Sequence, residues 1–559
     1  MIRPLRRARI HLRIARALAD IDGGDARAVR AAHLLDALPV ADPGEVVAAC
    51  RAAAADATAA WDSEKAAYWL DAALRIVESS QRLSPNIAER DGLLVGLLTA
   101  QTRAGQVQQA LATVETRLVE AIAAGSPRTL GALAGILLRA GGSWPWVGPN
   151  VDNERLCSTL ESALDAVSGD GPATARTLGA LAVGHCYHHD ASVPAGLLDR
   201  ADGVAAGLDD DSGLVDVLMA RLIPYSGVAE YATLSIGLAE RIRAIRAGMR
   251  PSSDETGYTA TDVDDVIVDT VLTMSTMTLG DVAETERLVR RGIVGSERFR
   301  LPILRAQLRW METSLAVWHG DFEVAMEHFR TAVKVQQMTE LYVAGSDTVA
   351  MIGLATERHL LDAVIETNEL ADKNVSTLDW ARSIADEFSD DQMTVLLAAG
   401  VAMIADADGD HVLAERMITV WLSDERPMVW TSLCQAVLLA YVVADLRLPG
   451  YARYFIDYLT PYRGCIATLG QIGQVGTVGL ALARLHYLVG EDEEGDAALR
   501  EAHEVATRGS GAPSELRCRL LAVARTAPSA RRTRDLDDIH NRATRLGLPD
   551  VIEEVTRLR

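Results

Sequence analysis

The sequence predicts an all-α protein, a right-handed α-solenoid of stacked helix pairs. Three observations carry that expectation. A phrase recurs in which a turn residue is followed five positions later by a small residue and nine later by a large apolar one, with another small or apolar residue usual at twelve. It is clearest from Gly320 through Ala325, Phe329 and Ala332. Composition agrees: 49% of residues are hydrophobic but only 5% aromatic, so the apolar mass is mostly Ala, Leu and Val. Ala and Leu favour helices, and Ala lets them approach closely. Finally, the 559 residues exceed what one compact core can serve. A stack in which each repeat packs on its neighbours escapes that limit.

The phrase returns after Gly105 (Ala110, Val114, Arg117), Gly280 (Thr285, Val289, Gly292), Gly409 (Ala414, Ile418, Trp421) and Gly490 (Gly495, Leu499, Ala502). Trp61 fills the turn slot before Ala66, Leu70 and Ala73, and Arg447 does so before Ala452, Ile456 and Leu459. Offsets of five, nine and twelve share one helical face. Such a helix–turn–helix cannot bury that face alone, so copies must stack.

A basic amphipathic helix is expected over 5–20, carrying Arg6, Arg7, Arg9, Arg13 and Arg16. It is followed by Ala-rich helices over 25–38 and 43–60, the second opened by an Asp42 cap and Pro43. Further helices are expected over 62–79, 86–103 and 106–124. The Ser143-Trp144-Pro145-Trp146 stretch then interrupts the pattern as a structured loop. Helices resume over 152–168, 172–189, 192–207 and 211–224, with the Asp209-Asp210-Asp211-Ser212 run as a cap. The segment from Gly248 to Ser253 reads as a linker. Helix pairs follow over 260–296, 301–336, 340–373, 378–424, 427–463 and 471–508, then terminal helices over 513–526 and 534–557. No strand is expected. The division is 1–60 as linker helices, 61–248 and 249–526 as two segments of the stack, and 527–559 as a polar cap.

The formal charge is −22, from 77 acidic against 55 basic residues. That balance argues against nucleic-acid binding by the bulk of the chain. Six scattered cysteines without paired spacing read as reduced core residues. The N-terminus lacks the apolar core of a secretory signal, and the longest apolar run, Val395 to Ala405, is too short to span a bilayer. A cytoplasmic protein without membrane contact is expected.

Ala325, Phe329 and Ala332 match the three signature positions in the second half of a tetratricopeptide repeat, so the helix pairs are tetratricopeptide-like. The intervals 61 to 105, 280 to 320, 409 to 447 and 447 to 490 exceed that repeat's length of about 34 residues. The blocks Arg9 to Leu18, Ala31 to Leu35 and Ala41-Asp42-Pro43 carry a further resemblance, as do the Ser143 to Trp146 loop and Arg300 to Ala332. Together they resemble the C-terminal helical region of large ATP-binding LuxR-type bacterial transcriptional regulators. The resemblance covers most of 5–526 and implies a sensing or docking arm. A phosphate-cradling Gly-x-x-x-x-Gly-Lys-Ser/Thr loop is missing, and no DNA-reading helix-turn-helix is evident. ATPase or DNA-binding activity would therefore belong to a partner.

Several clusters invite chemistry. His185 and His189, with Cys186 or Asp190, have a spacing that can hold a metal. A helix end, where histidines favour the dipole, explains them better. The run Asp262 to Asp269 is similar to an Asp-rich magnesium motif, yet it reads as a solvated helix start. An enzyme would need Asp264 and Asp265 to face an enclosed apolar cavity. Asp406 to Asp410 is a turn capped by Asp410, and His503-Glu504 lacks the second His of a zinc-protease helix. No catalytic residue, metal or cofactor is expected. The expected site is a concave groove lined by Gln307, Trp310, Ser314, Val317 and Trp318, suited to a peptide or a small ligand. The function read from this is a non-catalytic module that senses a ligand or docks a protein partner. A constitutive scaffold is the alternative, and an all-α metal-dependent enzyme a remote one.

Overall fold

A computed structural model describes residues 3–21, 23–80, 87–139, 146, 153–248, 261–339, 354, 356–367, 376–387, 392–423 and 427–559. Ser143, Trp144 and Pro145, the linker residues after Gly248, and the 340–353 part of the expected 340–373 pair lie outside them. The described residues form 27 α-helices with one small antiparallel hairpin. The chain is an all-α stack of helix pairs.

The turn slots are where the recurring phrase places them. Gly105, Gly280, Gly320, Gly409 and Gly490 all have positive φ, as do the non-glycine Trp61 and Arg447. Each left-handed residue reverses the chain between two packed helices, as Gly320 does between Pro302–His319 and Phe322–Gln336. The small residue five positions on is buried in every copy, including Ala66, Ala110, Thr285, Ala325, Ala414 and Ala452. Acidic caps start many of the helices. Asp42 accepts from the Glu45 N–H at 3.0 Å, Asp210 from Gly213 at 3.0 Å and Asp410 from Leu413 at 3.2 Å. The expected 534–557 helix is two, Ala530–Leu546 and Pro549–Leu558, because Gly547 adopts a left-handed φ of 69° before the proline. They form a small core of their own with Ala512–Ala524, around Leu516, Ile539 and Val555.

Two strands contradict the strand-free expectation. β1 (Ile466–Leu469) pairs with β2 (Gly473–Thr477). Ile, Thr and Val suit a pleated surface. Gly470, at φ 54°, and Gly476, at φ 90°, take conformations that other residues rarely adopt. The hairpin is buried almost throughout, between the helices Thr261–Thr278 and Pro302–His319 and the much later helices Ser432–Asp445 and Val478–Leu488. Gln471 Nε2 donates to the Thr270 carbonyl at 2.7 Å, and the hydroxyls of Thr278 and Thr468 meet at 2.7 Å.

The stack therefore winds back on itself. The Trp61 and Phe299 rings lie 4.4 Å apart. Trp430 Nε1 donates to the Tyr187 hydroxyl at 2.9 Å, across 243 positions. Later helices and the hairpin thus pack directly against earlier ones. All six cysteines are free.

Candidate functional site

The face expected to line a groove is covered. Gln307, Trp310, Ser314, Val317 and Trp318 share the helix Pro302–His319, and each is at most 4% exposed. Trp310 Nε1 donates to Gln336 Oε1 at 2.7 Å, and its ring meets Phe329 edge-on. Trp318 Nε1 donates to the Gly509 carbonyl at 2.7 Å, so the turn before Ala512–Ala524 sits against the indole. The five residues share one buried helix but line no groove among the described residues: the adjoining helix Phe322–Gln336 covers Trp310, and the turn at Gly509 covers Trp318. What covers Trp318 comes from 191 positions away.

An open space remains between early and middle parts of the stack. Ile87–Arg103, Pro127–Arg139, Gly171–Gly184 and Asp211–Leu222 contribute from one side, and Thr261–Thr278 and Pro302–His319 from the other. Together they line an open cavity of about 610 Å³. Gly131 and Gly135 lie four apart on one helical face. A Cβ on Gly131 would sit 2.7 Å from Ala173 Cα, so glycine is needed for that approach. Val95, Ile136, Val263, Ile267 and Leu304 supply an apolar floor.

Charge lines the rest. Arg139 donates from Nε to Asp216 at 2.8 Å and from Nη1 to Asp264 at 3.2 Å. Arg176 donates to the other oxygen of Asp216 at 2.7 Å and lies 3.3 Å from Asp210. Arg246 binds Asp265 at 2.7 Å behind this row. Burial alone would lower the Arg139 pKa, but the neighbouring Asp216 and Asp264 outweigh it and hold it above the ordinary guanidinium range. Arg103 stacks 6.0 Å from the Trp61 ring, and exposed Arg128 has no ion pair or hydrogen bond among the described residues. Four arginines thus face the cavity against Asp170, Asp216 and Asp264. Asp170 is engaged at 3.0 Å as the cap of the Ala173 N–H.

The Asp-rich run is not the solvated helix start expected of it. Asp264 is 4% exposed and on the cavity wall, while Asp269 is 2% exposed and held by Arg243 and Arg291. Asp265 does not line the cavity; its side chain is 53% exposed and binds Arg246, which also lies 3.9 Å from Asp264. Asp264 and Asp265 therefore do not converge as a pair of magnesium-binding carboxylates would. Periodicity alone did not reveal this, because the neutralising arginines come from other helices.

His185 caps Gly171–Gly184, as the helix-end reading expects. Its pKa is lowered, first by burial and then by His188. His188 stacks on His189 and binds the Asp190 N–H, so the cluster is tied up locally. Among the described residues, the atoms that could hold a metal come together at His11, His33 and Asp36, a group the sequence did not single out. Its signal was the His33–Asp36 spacing of three on one helix. A second groove of about 730 Å³ lies near the C-terminus, where Arg517 grips Glu357 at 2.6 and 2.9 Å and Asp550 at 2.9 Å.

No protein-family model matches the chain, and no curated protein does. Among solved structures it is similar to one described as a circular tandem repeat protein with novel repeat topology and enhanced subunit contact surfaces. The identity is 14%, the match covers 99% of this chain and 94% of that one, and the TM-score is 0.15. At that score the two do not superpose as one fold, and the architecture above stands on this chain's own contacts. No described helix is long and apolar enough to cross a membrane.

Proposed function

We propose that the chain is a non-catalytic helical-repeat sensor whose ligand is a small organic anion bound in the 610 Å³ cavity. The single supporting observation is the arginine-rich wall over an apolar floor, in a chain whose net charge is −22. A carboxylate or phosphate group on the ligand would pair with Arg128 at the charged edge, and its carbon skeleton would rest on Ile136, Val263 and Ile267. The cavity brings together residues as far apart as Arg139 and Asp264, 125 positions, so a ligand touching both walls favours the closed winding over a looser one. That difference in affinity is what sensing requires. The reading of the chain as an arm of the LuxR-type regulator kind, reporting to a separate ATPase or DNA-binding partner, rests on the sequence blocks within 9–43, 143–146 and 300–332.

The test is a thermal-shift screen of mono- and dicarboxylates, phosphate esters and matched neutral and cationic compounds. A ligand at 100 times its Kd should stabilise by about 2.7 kcal/mol. Anions should raise Tm, and Arg128→Glu should abolish the shift without lowering the Tm of the free protein. Stabilisation by protein partners alone, with none from anions, would instead support a scaffold.

A further inference from the structure

The helix Pro4–Ala17 is held to the rest of the protein by little apolar surface; of its side chains only Ala8 and Ala15 are buried. Opposite it lies Gly24–Asp36. At their contact, His11 Nδ1 lies 2.9 Å from His33 Nδ1 and 3.2 Å from Asp36 Oδ2. One ligand atom from each of the three residues falls within 4.8 Å of the others.

A proton does not fully account for this arrangement. A neutral imidazole Nδ1 has either one N–H or one lone pair. His11 Nδ1 therefore cannot serve His33 and Asp36 equally well at once. A cation accepts lone pairs from all three. Ligand atoms about 2.0–2.1 Å from a metal, at angles between octahedral and tetrahedral, lie about 2.9–3.4 Å apart. The two separations from His11 Nδ1 fall in that interval, while the His33–Asp36 separation is longer, up to 4.8 Å, as for ligands on opposite sides of an octahedral ion. The donor set, two imidazoles and a carboxylate with no thiolate, suits zinc, nickel or cobalt rather than magnesium or calcium. Asp36 adds an independent reason. It is the last residue of its helix, where the dipole disfavours an anion and a neighbouring cation relieves it. Its half-exposed side chain leaves room for water to complete the coordination.

We propose that His11, His33 and Asp36 bind a divalent transition-metal ion of the zinc class, which staples the basic N-terminal helix to its neighbour. The metal replaces the missing apolar contact. Loading then controls whether Arg6, Arg9 and Arg13 are presented on a fixed helix or a frayed one.

Calorimetric titration of the full chain with Zn²⁺ tests the proposal. One site should titrate, and its affinity should fall more than about 100-fold in His11→Ala and in His33→Ala, beyond the loss typical of disturbing an outer-shell partner. Co²⁺ should give d–d bands without the thiolate charge-transfer band that the free cysteines would produce. Metal should also slow amide exchange across Pro4–Ala17 in the natural protein and not in the variants. His11→Gln, which preserves length and helix propensity, guards against loss of folding and should lose the metal as well. Zinc binding unchanged in the His11→Ala/His33→Ala double variant, a thiolate band with cobalt, or no binding at all would overturn it.

Discussion

Gly511→Ala probes whether the later chain packs directly against the earlier helices. Gly511 has φ −79°, so alanine meets no backbone strain there. The new methyl would instead fall 2.4 Å from Trp318 Cζ2 and 2.5 Å from Cε2, about 1 Å inside normal carbon contact. The indole has little room to retreat: it is 1% exposed and packs with Met277, Val282, Leu315, Ile466 and Val505. Overpacking of this kind costs about 1–3 kcal/mol, and straining the Trp318–Gly509 hydrogen bond adds about 1 kcal/mol. Trp318→Phe removes the benzo ring the methyl would strike. Alone it should cost about 3 kcal/mol, from a smaller ring and an unpartnered Gly509 carbonyl. In that background Gly511→Ala should cost less than about 0.5 kcal/mol, a coupling of about 2 kcal/mol. Native-state hydrogen exchange of Pro302–His319 and Ala512–Ala524 is the suitable assay, because a chain this long does not unfold in one step. Additive effects, within about 0.5 kcal/mol, would refute the docking of this turn on Trp318.

Other outcomes follow from the same geometry. Arg447→Gly should raise local stability by about 1 kcal/mol in thermal melts, because the exposed Arg447 holds a φ of 51° that glycine adopts freely. Trp61→Gly should destabilise despite the same relief, because the Trp61 ring contact with Phe299 is lost. Arg139→Met should cost about 3–5 kcal/mol by leaving Asp216 and Asp264 short of a partner, and adding Asp264→Asn should restore part of that in denaturant melts. Burial, reinforced by Asp445, raises the Asp406 pKa from 3.8 to about 6. The folded state therefore binds that proton more tightly, so stability falls as pH rises from about 4 to about 6 and stays reduced above. Asp406→Asn should stabilise by about 1 kcal/mol at pH 7, the carboxyl being half exposed, and flatten that part of the pH profile.

The helix pairs were legible because a left-handed turn followed by a small residue is a local requirement, visible even where Trp61 and Arg447 replace glycine. The site was not legible in the same way. Nothing near Trp318 announces that Gly509 and Gly511 will cover it, and nothing near Asp264 announces Arg139. The Ile466–Thr477 hairpin was missed because its short apolar stretch, flanked by helices, resembles one more buried helix segment. Its glycines Gly470, Gly473 and Gly476 were the available signal. His11 and His33 stand 22 positions apart, and only the packing of their helices makes them neighbours.

The most direct test of later chain packing against earlier helices is a cysteine pair at Thr278 and Thr468. Their hydroxyl oxygens lie 2.7 Å apart although 190 positions separate them, and a disulfide needs sulfurs about 2.05 Å apart on similarly placed Cβ atoms. Oxidised Thr278→Cys/Thr468→Cys should yield a single cross-linked peptide while the protein keeps its helical spectrum. Two thiols that stay unlinked and label independently would show that the hairpin does not rest against Thr261–Thr278.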